Sequence, residues 1–207
     1  MDKNRVEISL EGVRELLSHL QNEVVTLEAQ HDQVLALLRK LEETADVDEL
    51  TGLMRRKSFF QKWRAVLEDC ERKVDECAVL MVDVDHFKQL NDDFGHAVGD
   101  EVLARVGRLL KQFESDHCWV GRYGGEEFCI AVRGSQEEAL EMAERIREVM
   151  THLHEEGATL VPRECTVSIG VAPSNTQDFN ETSLMERADQ ALYQAKRTGR
   201  NRVVLAA

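Results

Sequence analysis

Along the first part of the chain, apolar residues recur at alternating spacings of three and four. Leu10, Leu17, Val24, His31, Leu38 and Ala45 fall at one heptad position, and Val13, Leu20, Leu27, Val34 and Leu41 at the other. The alternation never slips, so the segment is predicted to be one long helix carrying a coiled-coil seam. A helix of about 40 residues would run about 60 Å at ~1.5 Å per residue, too long to lie wholly against a small domain. Leu16, Leu35 and Leu37 widen the stripe and leave room for an assembly above a dimer or for a second packing partner. His31 interrupts the seam, where a polar side chain sets register at some cost in stability; pH sensing or metal binding there are the less ordinary readings.

The seam ends near Glu42-Glu43-Thr44, and from Asp48 the periodicity changes. A helix is predicted from Lys57 to Glu71 and a buried strand over the apolar run Cys77 to Asp83. Helices follow from about Phe87 to Phe94 and from about Asp100 to Phe113. Two strands, Trp119 to Tyr123 and Glu127 to Val132, flank Gly124-Gly125, read as a hairpin turn with two acids opening the second strand. Ser135 and Glu138 form a capping box for a helix reaching about His154. A strand from Cys165 to Ala172, a helix from Leu184 to Lys196 capped near Gly199, and a strand from Arg202 to Leu205 complete the pattern. Strands alternating with helices predict an α/β domain with a mixed central sheet.

Composition narrows the function classes. The 207 residues, 43% of them hydrophobic, suit one domain plus an appended element. A formal net charge of −13 argues against an extended DNA or RNA footprint. Five cysteines without CxxC or clustered Cys/His spacing read as thiols in a reducing compartment. No apolar run is long enough to cross a bilayer, and the N-terminal segment has no signal-peptide core, so a cytoplasmic protein without membrane contact is expected.

Four segments carry candidate chemistry. The strand Met81-Val82-Asp83-Val84-Asp85 ends in two acids, where α/β sheets commonly place ligands; a carboxylate there suits a hard cation sharing oxygen ligands with phosphate. That reading is preferred for Asp83, whereas Asp85 reads better as the N-cap of the next helix. Arg122 to Phe128 combines two glycines, which let a backbone approach a ligand, with Glu126 and Glu127. In Asn91 to Asp100, an amide and a carboxylate could read the polar edge of a base, Asp100 accepting from the N1 and N2 donors of guanine; ordinary loop chemistry is the alternative. The cluster Lys196-Arg197-Thr198-Gly199-Arg200 either complements a helix dipole or holds phosphates.

Taken together, these segments resemble the diguanylate cyclase (GGDEF) family, here in the GGEEF form. The resemblance runs from about Asp48 to Leu205 and includes the opening Asp48-Glu49-Leu50-Thr51-Gly52-Leu53, the Asp83 to Lys88 segment, Asn91 to Asp100, Arg122 to Phe128 and the tail Ala195 to Asn201. Arg55 stands where the family usually has asparagine, with consequences expected for local packing only. The resemblance implies residues 48–207 as a nucleotidyl-cyclase or polymerase-palm domain, a central mixed sheet ringed by helices, with residues 1–47 as a dimerising and signalling coiled coil. It implies that Asp83, the Val84 carbonyl and Glu126 hold Mg²⁺ or Mn²⁺, with Glu127 supporting the site or a second metal. Asn91 and Asp100 would read guanine, the backbone at His86 and Phe87 with Lys88 would lie along the phosphates, Lys196 and Arg200 would hold the terminal phosphates, and Gly124 and Gly125 would leave room for the nucleotide. The implied reaction condenses two GTP into cyclic di-GMP across a homodimer, with Asp83 and Glu126 catalytic. Ser115 and Cys118 occupy the positions of the family's inhibitory Arg-x-x-Asp product site, so product inhibition through that site is expected to be weak or absent. A GTP-sensing domain without catalysis, a cyclase acting on one nucleotide or on ATP, and a coiled-coil interaction protein are the competing readings; an unidentified sensory partner fits any of them.

Overall fold

The computed structural model describes residues 3–44, 46–73, 75–153, 165–174 and 178–207, and within the first helix the side chains of 12–35. The chain divides into two units, Met1–Ala45 and Asp46–Ala207.

The first unit is a single helix, α1 (Lys3–Thr44). Seam residues Val13, Leu17, Leu20, Val24, Leu27 and Val34 are exposed, from 47% at Leu20 to 63% at Leu27. These positions recur at the heptad spacing and form one exposed apolar stripe along the described part of the helix. The side chains of Leu10, Leu37, Leu38, Leu41 and Ala45, which complete the expected stripe, lie outside the described residues.

The second unit contains β1 (Met54–Arg55), α2 (Arg56–Lys73), β2 (Cys77–Val84), α3 (Phe87–Phe94), α4 (His96–Lys111), β3 (Cys118–Gly124), β4 (Glu127–Arg133), α5 (Gln136–Thr151), β5 (Val167–Pro173), α6 (Glu181–Arg197) and β6 (Val203–Leu205). The strands form one sheet in the order β1-β3-β4-β2-β5-β6. The outer pairs β1/β3 and β5/β6 are parallel and the inner pairs antiparallel, so the sheet is mixed as expected.

β2 lies in the interior of the sheet with all eight residues buried, which is why it reads as a continuous apolar run rather than an alternation. Leu80 and Val82 face a core completed by α3, α4 and α5. Val79 and Met81 face the opposite core, formed by α2 and α6. α6 approaches β5 closely: a Cβ at Gly170 would lie 2.1 Å from the Ala188 carbonyl oxygen and 2.3 Å from the Leu192 amide nitrogen. The expected capping box is present, with Ser135 Oγ accepting from the Glu138 amide at 3.2 Å and Glu138 Oε2 accepting from the Ser135 amide at 2.8 Å.

Several boundaries differ from the sequence reading. α4 begins at His96 rather than Asp100 and ends at Lys111. Gly99 lies inside that helix because Asn91 Oδ1 occupies the place of a Cβ, 1.9 Å away; its function is close approach, not a break. α6 begins at Glu181, where the Asn180 side chain caps it by accepting from the Ser183 amide at 3.0 Å. β1, two residues long, is too short for any period to reveal. The expected helix end at His154 lies outside the described residues, as α5 closes at Thr151.

Candidate active site

The end of β2 brings Asp83 onto the face covered by α2 and α6. Its carboxylate is 6% exposed and receives Lys196 Nζ, from the last turn of α6, at 2.7 Å. The β3–β4 hairpin lies alongside, with Asp83 paired opposite Glu127 and the Val84 amide donating to the Glu126 carbonyl at 3.2 Å. Burial pushes the Asp83 carboxyl up to about 6, against the opposing pull of Lys196; Glu126 and Glu127 raise it further by like-charge repulsion. Glu126 and Glu127 are thus close enough to act on Asp83 by charge, and Lys196 is ion-paired with it.

The hairpin turn consists of Gly125 and Glu126, not of the two glycines. Gly124 ends β3, opposite Glu127, and Gly125 takes φ 53 at the first turn position, a left-handed conformation that favours glycine. Glu126 therefore sits at the tip rather than on a strand. A register shift between Arg122 and Gly124 bulges β3 just before the turn, a device that re-aims side chains next to sites. A Cβ at Gly124 or Gly125 would meet nothing within 4 Å, so these glycines front open space.

Arg122 fixes the turn from below. Its Nε and Nη2 donate to the Gly125 carbonyl at 3.1 and 2.9 Å, and its Nη1 donates to both Asp48 carboxylate oxygens at 3.0 and 3.2 Å. Asp48 Oδ1 also accepts from the Thr51 amide at 2.9 Å and the Thr51 hydroxyl at 2.7 Å. Burial raises the Asp48 carboxyl, but the hydrogen bonds from Thr51 and Arg122 and the guanidinium charge outweigh it, leaving it below the usual range. Thr51 is in turn locked by α4, since a Cβ on Gly107 would lie 2.4 Å from the Thr51 carbonyl oxygen.

Asp85 does not cap α3, correcting the expectation. The N-cap position belongs to His86, in the left-handed region at φ 57 and without a side-chain cap. Asp85 turns inward instead and accepts from Thr166 Oγ1 at 2.8 Å, Ser168 Oγ at 2.7 Å and the Asn201 amide at 3.0 Å. The bend at His86 starts α3 with first-turn amides that have no intrahelical partner, the arrangement that favours anions at a helix N-terminus. Lys88 is exposed on that turn, while Phe87 is 8% exposed and belongs to the core. Asn91, one turn on, has a buried Oδ1 with no hydrogen-bond partner. That oxygen lies against Gly99, and Asp100 follows at the surface of α4. A buried amide oxygen without a donor carries a desolvation cost that a bound donor would relieve.

Asp83, the Val84 carbonyl, Glu126 and Glu127 offer only oxygen donors, the chemistry of a hard divalent cation. Among the described residues, no three His, Cys, Asp or Glu side chains close into a metal cage. Mg²⁺ keeps several waters and binds through one or two carboxylates plus substrate phosphates, so an open half-site of this kind fits it.

Residues 45–202 match the family described as diguanylate cyclase, GGDEF domain. The chain belongs to the GGDEF diguanylate cyclase family. It is 35% identical over 170 residues to a diguanylate cyclase of Vibrio cholerae serotype O1, covering 82% of this chain and 52% of that protein. It is 37% identical over 179 residues to diguanylate cyclase DosC of Escherichia coli K12, covering 84% of this chain and 39% of that protein. The chain thus spans about half or less of the length of these curated relatives. Among solved structures, the coiled coil and GGDEF domain of DgcB from Caulobacter crescentus, in complex with c-di-GMP, aligns with a TM-score of 0.72 at 29% identity, over 90% of this chain and 99% of that one. The active GGEEF domain of a Vibrio cholerae diguanylate cyclase aligns with a TM-score of 0.68 at 35% identity, over 75% and 98%.

Within the GGDEF unit, sequence reasoning gave no role to Asp48, Thr51 or Arg122, although each falls inside a quoted motif. The tie from the opening Asp48-Glu49-Leu50-Thr51 to the Gly125 carbonyl spans more than seventy residues of sequence, and no periodicity signals such a pairing. The positions of the product-site pattern are also structural here: Cys118 is fully buried with its sulfur 3.6 Å from that of Met142, and Ser115 Oγ accepts from the His117 amide at 3.2 Å.

Proposed function

We propose that this chain is a diguanylate cyclase that condenses two GTP into cyclic di-GMP and releases two pyrophosphates, and that residues 48–207 form the catalytic domain and residues 1–47 a dimerising coil. The observation that carries the reading is Asp83, a buried carboxylate at the end of β2, flanked by Glu126 and Glu127 and ion-paired with Lys196.

In this reading Asp83, the Val84 carbonyl and Glu126 hold Mg²⁺ or Mn²⁺, with Glu127 as support. A bound divalent cation supplies positive charge at the α-phosphate and lowers the pKa of the attacking hydroxyl. Glu126, at the hairpin tip, organises the ribose 3′-hydroxyl and accepts its proton as the oxygen attacks the α-phosphate and pyrophosphate leaves. Lys196 exchanges its contact with Asp83 for the terminal phosphates, joined there by Arg200. The α3 N-terminal amides at His86 and Phe87, with Lys88, line the phosphate chain. Asn91 and Asp100 read guanine: the buried Asn91 oxygen awaits a donor, and Asp100 accepts from the N1 and N2 edge that adenine lacks. Gly124 and Gly125 keep the approach clear.

One such site holds one nucleotide, and the two new phosphodiester bonds require a second domain facing the first. The exposed seam of α1 supports a homodimer that raises the effective concentration of that partner domain. It also leaves α1 as a place for regulatory input; the related SiaD of Pseudomonas aeruginosa, 29% identical, is known in complex with its activator SiaC. Ser115 and Cys118 lack the charges of a product site, so turnover is expected to stay linear as product accumulates; an early plateau relieved by substitution at Ser115 would contradict this.

Incubation of the purified chain with GTP or ATP, with product mass and pyrophosphate measured together, tests the activity. Cyclic di-GMP from GTP alone, with two pyrophosphates per product, is expected. A cyclic mononucleotide, or equal turnover of ATP, would overturn the reading.

A further inference from the structure

Asp85 stands next to the proposed metal-binding strand end, and one of its partners, Ser168, lies across from Asp83 in the β2–β5 pairing. Both carboxylate oxygens are used: Oδ1 accepts from Ser168 Oγ, and Oδ2 from Thr166 Oγ1 and the Asn201 amide. The side chain is buried, 9% exposed, and its charge meets neutral donors only, with no ion pair among the described residues. Asp85 thereby ties three pieces of chain that meet nowhere in sequence: the end of β2, the start of β5 and the tail after α6.

The tail needs such a tie. Arg200 and Asn201 are consecutive non-glycine residues in the left-handed region, with φ 61 and 43. This backbone is tolerated by asparagine but unfavourable for arginine, and at Arg200 it persists only where surrounding contacts impose it. Those contacts are visible. The Arg200 amide donates to the Ala195 carbonyl at 3.0 Å, closing α6. Arg147 Nη1, from α5, donates to Asn201 Oδ1 at 3.1 Å. The Asn201 amide donates to Asp85. Between the first and last of these anchors lies Arg200, its side chain exposed and without an ion pair among the described residues.

We infer that Asp85 is a positioning residue for substrate phosphate: by holding the Asn201 amide it fixes the strained turn that aims Arg200 at the terminal phosphates of the nucleotide. The inference rests on the proposed role of Arg200 as a phosphate ligand. Asp85 itself touches no substrate, and its influence reaches only the β- and γ-phosphates, leaving guanine and the α-phosphate to other residues.

The chemistry distinguishes two substitutions. Asp85→Ala removes every acceptor. Asp85→Asn keeps an amide oxygen for the Asn201 amide, while its NH₂ meets the Ser168 hydroxyl, which rotates to accept. Asp85→Ser keeps a polar group in the buried space but is too short to reach Asn201, and stands in should Asp85→Ala fail to fold.

The test compares binding of 3′-deoxy-GTP and 3′-deoxy-GMP, which lack the attacking hydroxyl, to the full chain and its variants. Asp85→Ala and Asp85→Ser are expected to weaken the triphosphate about tenfold, the scale of one lost charge-assisted contact, and to leave the monophosphate unchanged within about twofold, inside the context scatter of one contact. Asp85→Asn restores most of the loss. Adding Arg200→Ala to Asp85→Ala costs little beyond Arg200→Ala alone, because both act through one contact. Equal weakening of both nucleotides, no weakening, or full additivity would overturn the inference. If Arg200→Ala alone weakens the triphosphate while the Asp85 variants do not, Asp85 has no positioning role and the reading of Arg200 stands. If Arg200→Ala changes neither nucleotide, the reading of Arg200 fails and takes the inference with it.

Discussion

At Asp83, burial and two neighbouring carboxylates oppose ionisation while Lys196 favours it, leaving the carboxyl raised to about 6 from an ordinary 3.8. The folded protein therefore binds this proton more tightly than the unfolded chain. The associated stability is fully present below about pH 4 and is lost as pH rises through about 6. In metal-free buffer near pH 7.5, Asp83→Asn is expected to stabilise the fold by roughly 1–3 kcal/mol and to flatten the decline between pH 4 and 7. Thermal unfolding with a chelator present checks this, and a lower Tm for the variant would show that the Lys196 pair outweighs burial. Gly99→Ala tests the other side of the site, since its Cβ would lie 1.9 Å from Asn91 Oδ1. The amide must move, so GTP affinity is expected to fall by about tenfold, the scale of one or two lost hydrogen bonds, with stability reduced by roughly 1–3 kcal/mol. Titration of GTP and calorimetry on the same sample separate the two effects. At this scale the sequence was most informative where chemistry is local: Asp83, Glu126 and Lys196 lie in motifs read directly, and the structure brings the three together. It was least informative for Asp85, whose side-chain partners lie 81 to 116 residues away, and for the pairing of Arg122 with Asp48 across 74 residues.

Among the elements, long periodic segments were legible and short or crowded ones were not. α1, β2 and α5 carry clear heptad, apolar-run or capping signals. The start of α4 was misread because Gly95 and Gly99 look like loop punctuation. Only Gly95, at φ 85, has a conformation that requires glycine; Gly99 is helical and makes room for Asn91. The hairpin turn shifted by one residue for a related reason, since two adjacent glycines conceal which of them takes the positive φ. For α1, the seam predicts a phase effect. Removing seven residues keeps the apolar stripe in register, whereas removing three or four rotates one end of the helix relative to the other. Turnover is expected to survive the seven-residue deletion and to change severalfold with the shorter ones, an effect of about 1 kcal/mol on the arrangement of two domains. Equal turnover across the series would remove the coil from any role in control.

For the whole molecule, the exposed apolar stripe on one unit and the proposed condensation of two nucleotides on the other are both met by one proposal, a second copy. Because Asp46–Ala207 is a compact unit with its own core, a chain of those residues is expected to fold, to bind GTP, and to lose most turnover at low protein concentration, recovering as concentration rises. Specific activity independent of dilution would place the second nucleotide within one chain. No helix among the described residues is long and apolar enough to cross a membrane. The central claim is that Asp83 and Glu126 form the metal-dependent centre of a GTP-condensing enzyme, and the most direct measurement is the cyclic di-GMP made from GTP and Mg²⁺ by wild type, Asp83→Asn and Glu126→Gln at matched concentrations with folding verified. Wild type is expected to make the dinucleotide, and each folded variant to fall at least a hundredfold, the usual scale for loss of a general base or metal ligand; folded variants that retain wild-type turnover would contradict the account.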